Sequence, residues 1–186
     1  MSKETKIRIP LKDTAADTFF VRQQDDYSCG PACMATLSNI YDSGLTYEEC
    51  RDYANPDPAV GTDHNLLAFI CDQYMPFESA GTGGYHGNVG IALITQEGEG
   101  HYIVLLAQEG GRVAYYDPYH HELVIDNAKD MDWYSVNAGV ANWSINMSPI
   151  EDNSIQRWID MAQPKVPENP SPAQPPKNPP SAPSAP

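Results

Sequence analysis

At 186 residues and a formal charge of −14, the chain has the length of one ordinary domain plus appendages. Its acidity argues against nucleic acid or an anionic membrane surface as the main partner, since both would repel it. No stretch approaches membrane-spanning length, and the N-terminal MSKETKIRIPLKD lacks a signal-peptide core, so no membrane insertion is expected and the chain is expected to be cytoplasmic as synthesised.

Residues 1–19 alternate loosely through Ile7, Ile9 and Leu11, which predicts an edge strand or an ordered N-terminal arm leading into the Gln23 loop. The stretch QQDDYSCGPACMATLSNIY, Gln23 to Tyr41, then turns from a polar loop into an apolar-periodic segment. Ser28 is the predicted N-cap and Pro31 is tolerated in the first turn, so Cys29 falls at a helix N-terminus. Free backbone N–H groups and the positive end of the helix dipole favour a thiolate there, which makes Cys29 a candidate nucleophile. A buried structural cysteine is the plain alternative.

After the stop signal Asp42–Ser43–Gly44, Thr46 and Glu49 form a capping-box pattern that opens a second helix through Tyr53. Thr62 or Asp63 caps a third, with Leu66, Leu67, Ile70 and Tyr74 on its apolar face and Cys71 packed as a small hydrophobe. The run GTGGYHG, 81–87, is a turn-rich loop; it lacks a preceding strand and a following Lys-Ser/Thr, and so is not a phosphate cradle. From there VGIALI, HYIVLLA, RVAYYD, ELVI and VANWSINM are short β-branched or aromatic runs, predicting antiparallel strands. Ile155, Trp158, Ile159 and Ala162 recur at helical spacing. Helices first and strands afterwards predict an α+β domain over residues 20–162, a helical half packed on an antiparallel sheet. Residues 163–186, rich in Pro, Ala, Ser and Asn, predict a disordered or polyproline tail.

Four cysteines, at 29, 33, 50 and 71, are expected to be reduced in a chain without an export signal. Their spacing fits no metal ligand set, and neither a metal nor a cofactor is expected. A nucleophilic cysteine needs a base and a group that orients the base. His101 opens the strand HYIVLLA and Asp117 closes RVAYYD; a hairpin centred near Glu109 places them opposite one another. His64 in a helix start, His86 in the glycine loop, and His120 and His121 after the DPY turn are weaker candidates for the base. Gln23 or Gln24, with the Cys29 backbone N–H, could supply the oxyanion donors.

The segment RQQDDYSCGPAC, followed by GHYIVLL and YYDP, resembles the bacteriocin-processing peptidases, a papain-like family often fused to peptide-exporting ABC transporters. The order Gln, Cys, His, Asp is theirs, as are the steps of six residues from Gln23 to Cys29 and sixteen from His101 to Asp117. The resemblance implies a papain-like cysteine peptidase fold, Gln23 as the oxyanion glutamine, Cys29 as nucleophile, His101 as base and Asp117 as its orienter. It implies cleavage after a double-glycine leader in a peptide or protein substrate. With no transporter domain in the chain, a stand-alone enzyme is expected, as in a secreted or injected bacterial effector or a toxin-processing module, with the Pro-rich tail as the place for a partner protein or secretion machinery. A catalytically silent peptide-binding module and a thiol acyltransferase are the alternatives.

Overall fold

The computed structural model describes residues 5–83, 85–135 and 142–164. Three helices come first after an edge strand: β1 (Ile7–Pro10), α1 (Cys29–Ile40), α2 (Tyr47–Ala54) and α3 (His64–Tyr74). Six strands and a last helix follow: β2 (Phe77–Gly81), β3 (Gly90–Gln96), β4 (Glu99–Glu109), β5 (Arg112–Asp117), β6 (Glu122–Asn127), β7 (Ser144–Met147) and α4 (Ile155–Met161). All seven strands form one antiparallel sheet in the order β1-β6-β5-β4-β3-β7-β2. No helix among the described residues is long and apolar enough to cross a membrane.

Alternation along the strands divides the interior in two. Tyr102, Val104 and Leu106 of β4 join Leu37, Leu67 and Trp158 in the core under the helices. Ile103 and Leu105 point the other way, into a smaller cluster with Val113 and Tyr115. The main core extends into the N-terminal arm: β1 pairs with β6, and Leu11, Ala16 and Phe20 are fully buried, so this segment packs as part of the same domain.

Local signals explain the element ends. Thr46 and Glu49 form the expected capping box, with Glu49 N–H donating to Thr46 Oγ1 at 3.2 Å and Thr46 N–H to Glu49 Oε2 at 2.9 Å. Asp63, not Thr62, caps α3, accepting from Leu66 N–H at 2.9 Å. Ser28 occupies the N-cap position of α1 without bonding it; its hydroxyl accepts instead from Tyr47 at 2.8 Å and ties α1 to α2.

Four expectations need correction. Leu66 and Tyr74 are 37% and 46% exposed, because α3 buries only the narrower stripe of Leu67, Ile70 and Cys71. The glycine run does follow a strand, β2, which ends at Gly81; its five residues carry two polar ones and no β-branched one, so the composition hid it. The hairpin between β4 and β5 turns at Gly110–Gly111, both with positive φ as a two-residue turn demands, so Glu109 pairs with Arg112 and the register is later than a centre at Glu109 predicts. The predicted strand starting at Val140 begins only at Ser144, its first two residues lying outside the described ones. The proposed tail falls outside them from residue 165 onward.

Candidate active site

Cys29 is the first residue of α1, and the loop before it is held at several points. Asp25 accepts from Tyr27 N–H at 3.2 Å and pairs with Arg51 of α2, and Arg51 reaches the Tyr27 hydroxyl at 3.3 Å. The same loop touches the sheet where Gln23 N–H donates to Pro118 O at 3.2 Å. Thus Gln23 and Cys29, from the helical half, are fixed beside the end of β5.

His101 and Asp117 come from the sheet. His101 Nε2 lies 2.8 Å from Asp117 Oδ1, and both side chains are buried. The ladder, with Val104 opposite Tyr116 and a bulge between Leu105 and Ala107, carries Asp117 across from Ile103 when continued one step. His101 and Asp117 therefore share a face as diagonal neighbours rather than facing each other directly, and the imidazole spans the difference. With Nε2 engaged, Nδ1 is the ring atom left for Cys29, which lies close enough to help raise the His101 pKa.

This arrangement perturbs both titrations. Burial alone would lower the His101 pKa, but the hydrogen bonds to Asp117 and Cys29 and the nearby negative charge outweigh it and raise it to about 9. Burial would raise Asp117, yet the bonds from His101, His120 and the Tyr119 N–H hold it down at about 2. The other three cysteines are free and buried. Burial pushes the Cys33 and Cys71 thiols far up and that of Cys50 to about 12, so none of them is set up to react near neutrality.

Gln23 is buried, with Nε2 donating to Asp25 O at 2.6 Å and Oε1 without a partner. An amide nitrogen carries two hydrogens, so this bond leaves one free. Gln24 is exposed.

His120 is a contact that the sequence underrated. It was expected to be an ordinary exposed residue after the DPY turn, but its Nδ1 lies 2.7 Å from Asp117 Oδ2, while Tyr119 N–H reaches Oδ1 at 2.9 Å. The Asp117 carboxylate is thereby held at both oxygens. The signal was the three-residue step from Asp117 through a turn, which returns a side chain to the carboxylate that opens it. His121 diverges from its neighbour, bonding Tyr116 OH and Asp17 at 2.8 Å each. His64 packs edge-on against Trp143, and His86 donates its backbone N–H to Asn146; neither meets Cys29 in these contacts.

Cys29 opens onto a cleft of about 660 Å³ between the α2–α3 loop, the start of α3 and the β3–β4 hairpin. Tyr102 in its wall donates to Thr62 O at 2.8 Å. The cleft thus lies between the helical half and the sheet, with Cys29 in its wall.

The family model described as Peptidase C39 family matches residues 17–136. No curated protein matches the sequence. Among solved structures, the chain is similar to the peptidase domain of Streptococcus ComA, a bi-functional ABC transporter involved in a quorum-sensing pathway. The TM-score is 0.56 at 17% identity, over 70% of this chain and 97% of that one. That likeness concerns the fold, which is papain-like in both.

Proposed function

This chain belongs to the peptidase C39 family, and we propose that it is a cysteine peptidase whose Cys29, His101 and Asp117 act as a catalytic triad, with Gln23 completing the oxyanion hole. The observation that supports the proposal is the buried His101–Asp117 pair, Nε2 to Oδ1 at 2.8 Å, with Cys29 near enough to the ring to raise its pKa.

The chemistry follows from these positions. His101 holds the proton that Cys29 gives up, and its pKa near 9 keeps the ring protonated at neutral pH. The Cys29 sulfur attacks the substrate carbonyl carbon, and the developing oxyanion takes hydrogen bonds from the Cys29 backbone N–H and the second amide hydrogen of Gln23. His101 then donates its proton to the leaving amine, which departs as the C–N bond breaks. A water molecule, deprotonated by the same ring, attacks the thioester and releases the acid and the free thiol. Asp117 keeps Nε2–H pointed away from sulfur and stabilises the imidazolium. Cleavage after a Gly-Gly pair is the specificity we propose on the strength of the family membership.

The test begins without a known substrate. Iodoacetamide is expected to modify Cys29 ahead of the three deeply buried thiols, and His101→Ala is expected to slow that reaction. With an internally quenched peptide containing Gly-Gly as probe, Cys29→Ala is expected to abolish cleavage. Full cleavage by Cys29→Ala, or alkylation indifferent to His101, would overturn the proposal.

A further inference from the structure

The cleft that exposes the sulfur is lined by carboxylates from three separate segments. Asp26 comes from the loop before α1, Asp57 and Asp63 from the α2–α3 connection, and Glu99 from the β3–β4 hairpin; no lysine or arginine joins them. None of the four is in a salt bridge among the described residues. Arg51, on the neighbouring helix α2, is committed to Asp25, while Lys6 and Arg8 pair with Asp126 and Glu122 at the far edge of the sheet.

Two further observations place this charge beside the sulfur. Asp63 and Cys29 both act electrostatically on the buried hydroxyl of Tyr102, which donates to Thr62 O at 2.8 Å. Thr62, the residue before Asp63, has its hydroxyl packed against Gly30, the residue after Cys29, so the Asp63 end of the α2–α3 connection is seated at the first turn of α1. The same walls carry Tyr27, Leu66 and Tyr134, apolar surface against which the methylene stem of a long cationic side chain can lie while its head meets the carboxylates.

We propose that this cleft selects peptide substrates carrying lysine or arginine side chains close to the scissile bond and rejects those carrying aspartate or glutamate there. The inference rests on the cysteine-peptidase reading of the site. Its physics is that low-dielectric walls concentrate a field of one sign, so that a like-charged side chain is repelled at encounter and again when it is desolvated. Rejection of acidic chains supplies as much of the specificity as attraction of basic ones.

Three irreversible probes separate the possibilities: Ac-Lys-Lys-Gly-Gly-vinyl sulfone and its Glu-Glu and Gln-Gln counterparts, each followed by the rate of Cys29 adduct formation in intact mass spectra. The lysine probe is expected to react at least about tenfold faster than the glutamate probe at low ionic strength, with the glutamine probe between them. The ratio is expected to fall toward one in 1 M NaCl, where the screening length is about 3 Å. It is also expected to shrink in the double variant Asp26→Asn, Glu99→Gln. That pair is preferred because Asp57 and Asp63 use their carboxylates to hold the loop and to cap α3. Equal or reversed rates for the lysine and glutamate probes, with Cys29 still labelled, would overturn the charge selection alone. No adduct at Cys29 with any probe would overturn the peptidase reading and this inference with it.

Discussion

His101 and Asp117 meet on the diagonal of the β4–β5 ladder, His101 Nε2 standing 2.8 Å from Asp117 Oδ1 with both side chains buried. The carboxylate is what keeps the ring charged against its burial. If the protonated ring is the working form, cleavage is lost at high pH with an apparent pKa near 9, because the leaving amine then finds no proton on the ring. Asp117→Asn removes the negative charge, so this alkaline limb is expected to move to lower pH. Turnover at neutral pH is expected to drop by a factor on the order of 10². A limb that stays where it was in the variant would show that Asp117 does not set the His101 titration.

The same pair makes stability depend on pH in a definite direction. His101 is raised from 6.5 to about 9 in the folded chain, so its contribution is complete below pH 6.5 and disappears as pH rises through 9. Asp117 is depressed from 3.8 to about 2, so its contribution is present above pH 3.8 and disappears as pH falls through 2. Maximal stability from this pair therefore lies between those windows. The loss on the alkaline side is expected to be on the order of 2–3 kcal/mol, shared between the two partners rather than counted once for each. Urea denaturation from pH 6 to pH 9.5 measures it, and His101→Gln is expected to flatten the slope.

His120 grips the second oxygen of Asp117 at 2.7 Å from a side chain that is 41% exposed. His120→Ala is expected to lower kcat by about 2–5-fold with KM nearly unchanged, the size that one partly exposed charge-assisted bond supports. His120→Asn, which keeps a donor at a similar reach, is expected to recover part of the loss. Removing the bond also lets the Asp117 pKa rise from about 2, because His120 is one of the groups holding it down. A larger effect on KM than on kcat would place His120 in substrate binding instead.

Gly30 leaves no room for a side chain beside Cys29. A Cβ at this position would sit 2.7 Å from Thr62 Oγ1 and 2.9 Å from Thr62 Cβ. Gly30→Ala is expected to destabilise the protein by about 1–3 kcal/mol in chemical denaturation. Because either Thr62 or the first turn of α1 must shift, Cys29 labelling is expected to slow as well. Unchanged stability would mean that the α2–α3 connection yields at little cost.

The strand series from VGIALI to ELVI and the capping box at Thr46 were legible because each rests on a local signal: side-chain alternation in the first case and a three-residue step in the second. The candidates Cys29, His101 and Asp117 were legible for a different reason: reactive groups of known chemistry stood at the ends of predicted elements, where a cleft between two halves has to open. Gln23 was preferred to Gln24 only by the family resemblance. The β2 strand was not legible, since an edge strand of Phe77–Glu78–Ser79–Ala80–Gly81 shows no apolar alternation.

The sequence by itself determined most of the elements and which side chains are candidates for the chemistry, because periodicity, caps and turn residues act over a few positions along the chain. Only the tertiary structure decided what those side chains meet. The hairpin register turned on the left-handed pair Gly110–Gly111 and a bulge near Leu106, so the His101–Asp117 contact became a diagonal one. The grip of His120 on Asp117 and the assembly of Asp26, Asp57, Asp63 and Glu99 around Cys29 are products of packing. Those carboxylates span more than seventy positions of sequence, and no local pattern encodes the distance between groups that only the folded core brings to one cleft.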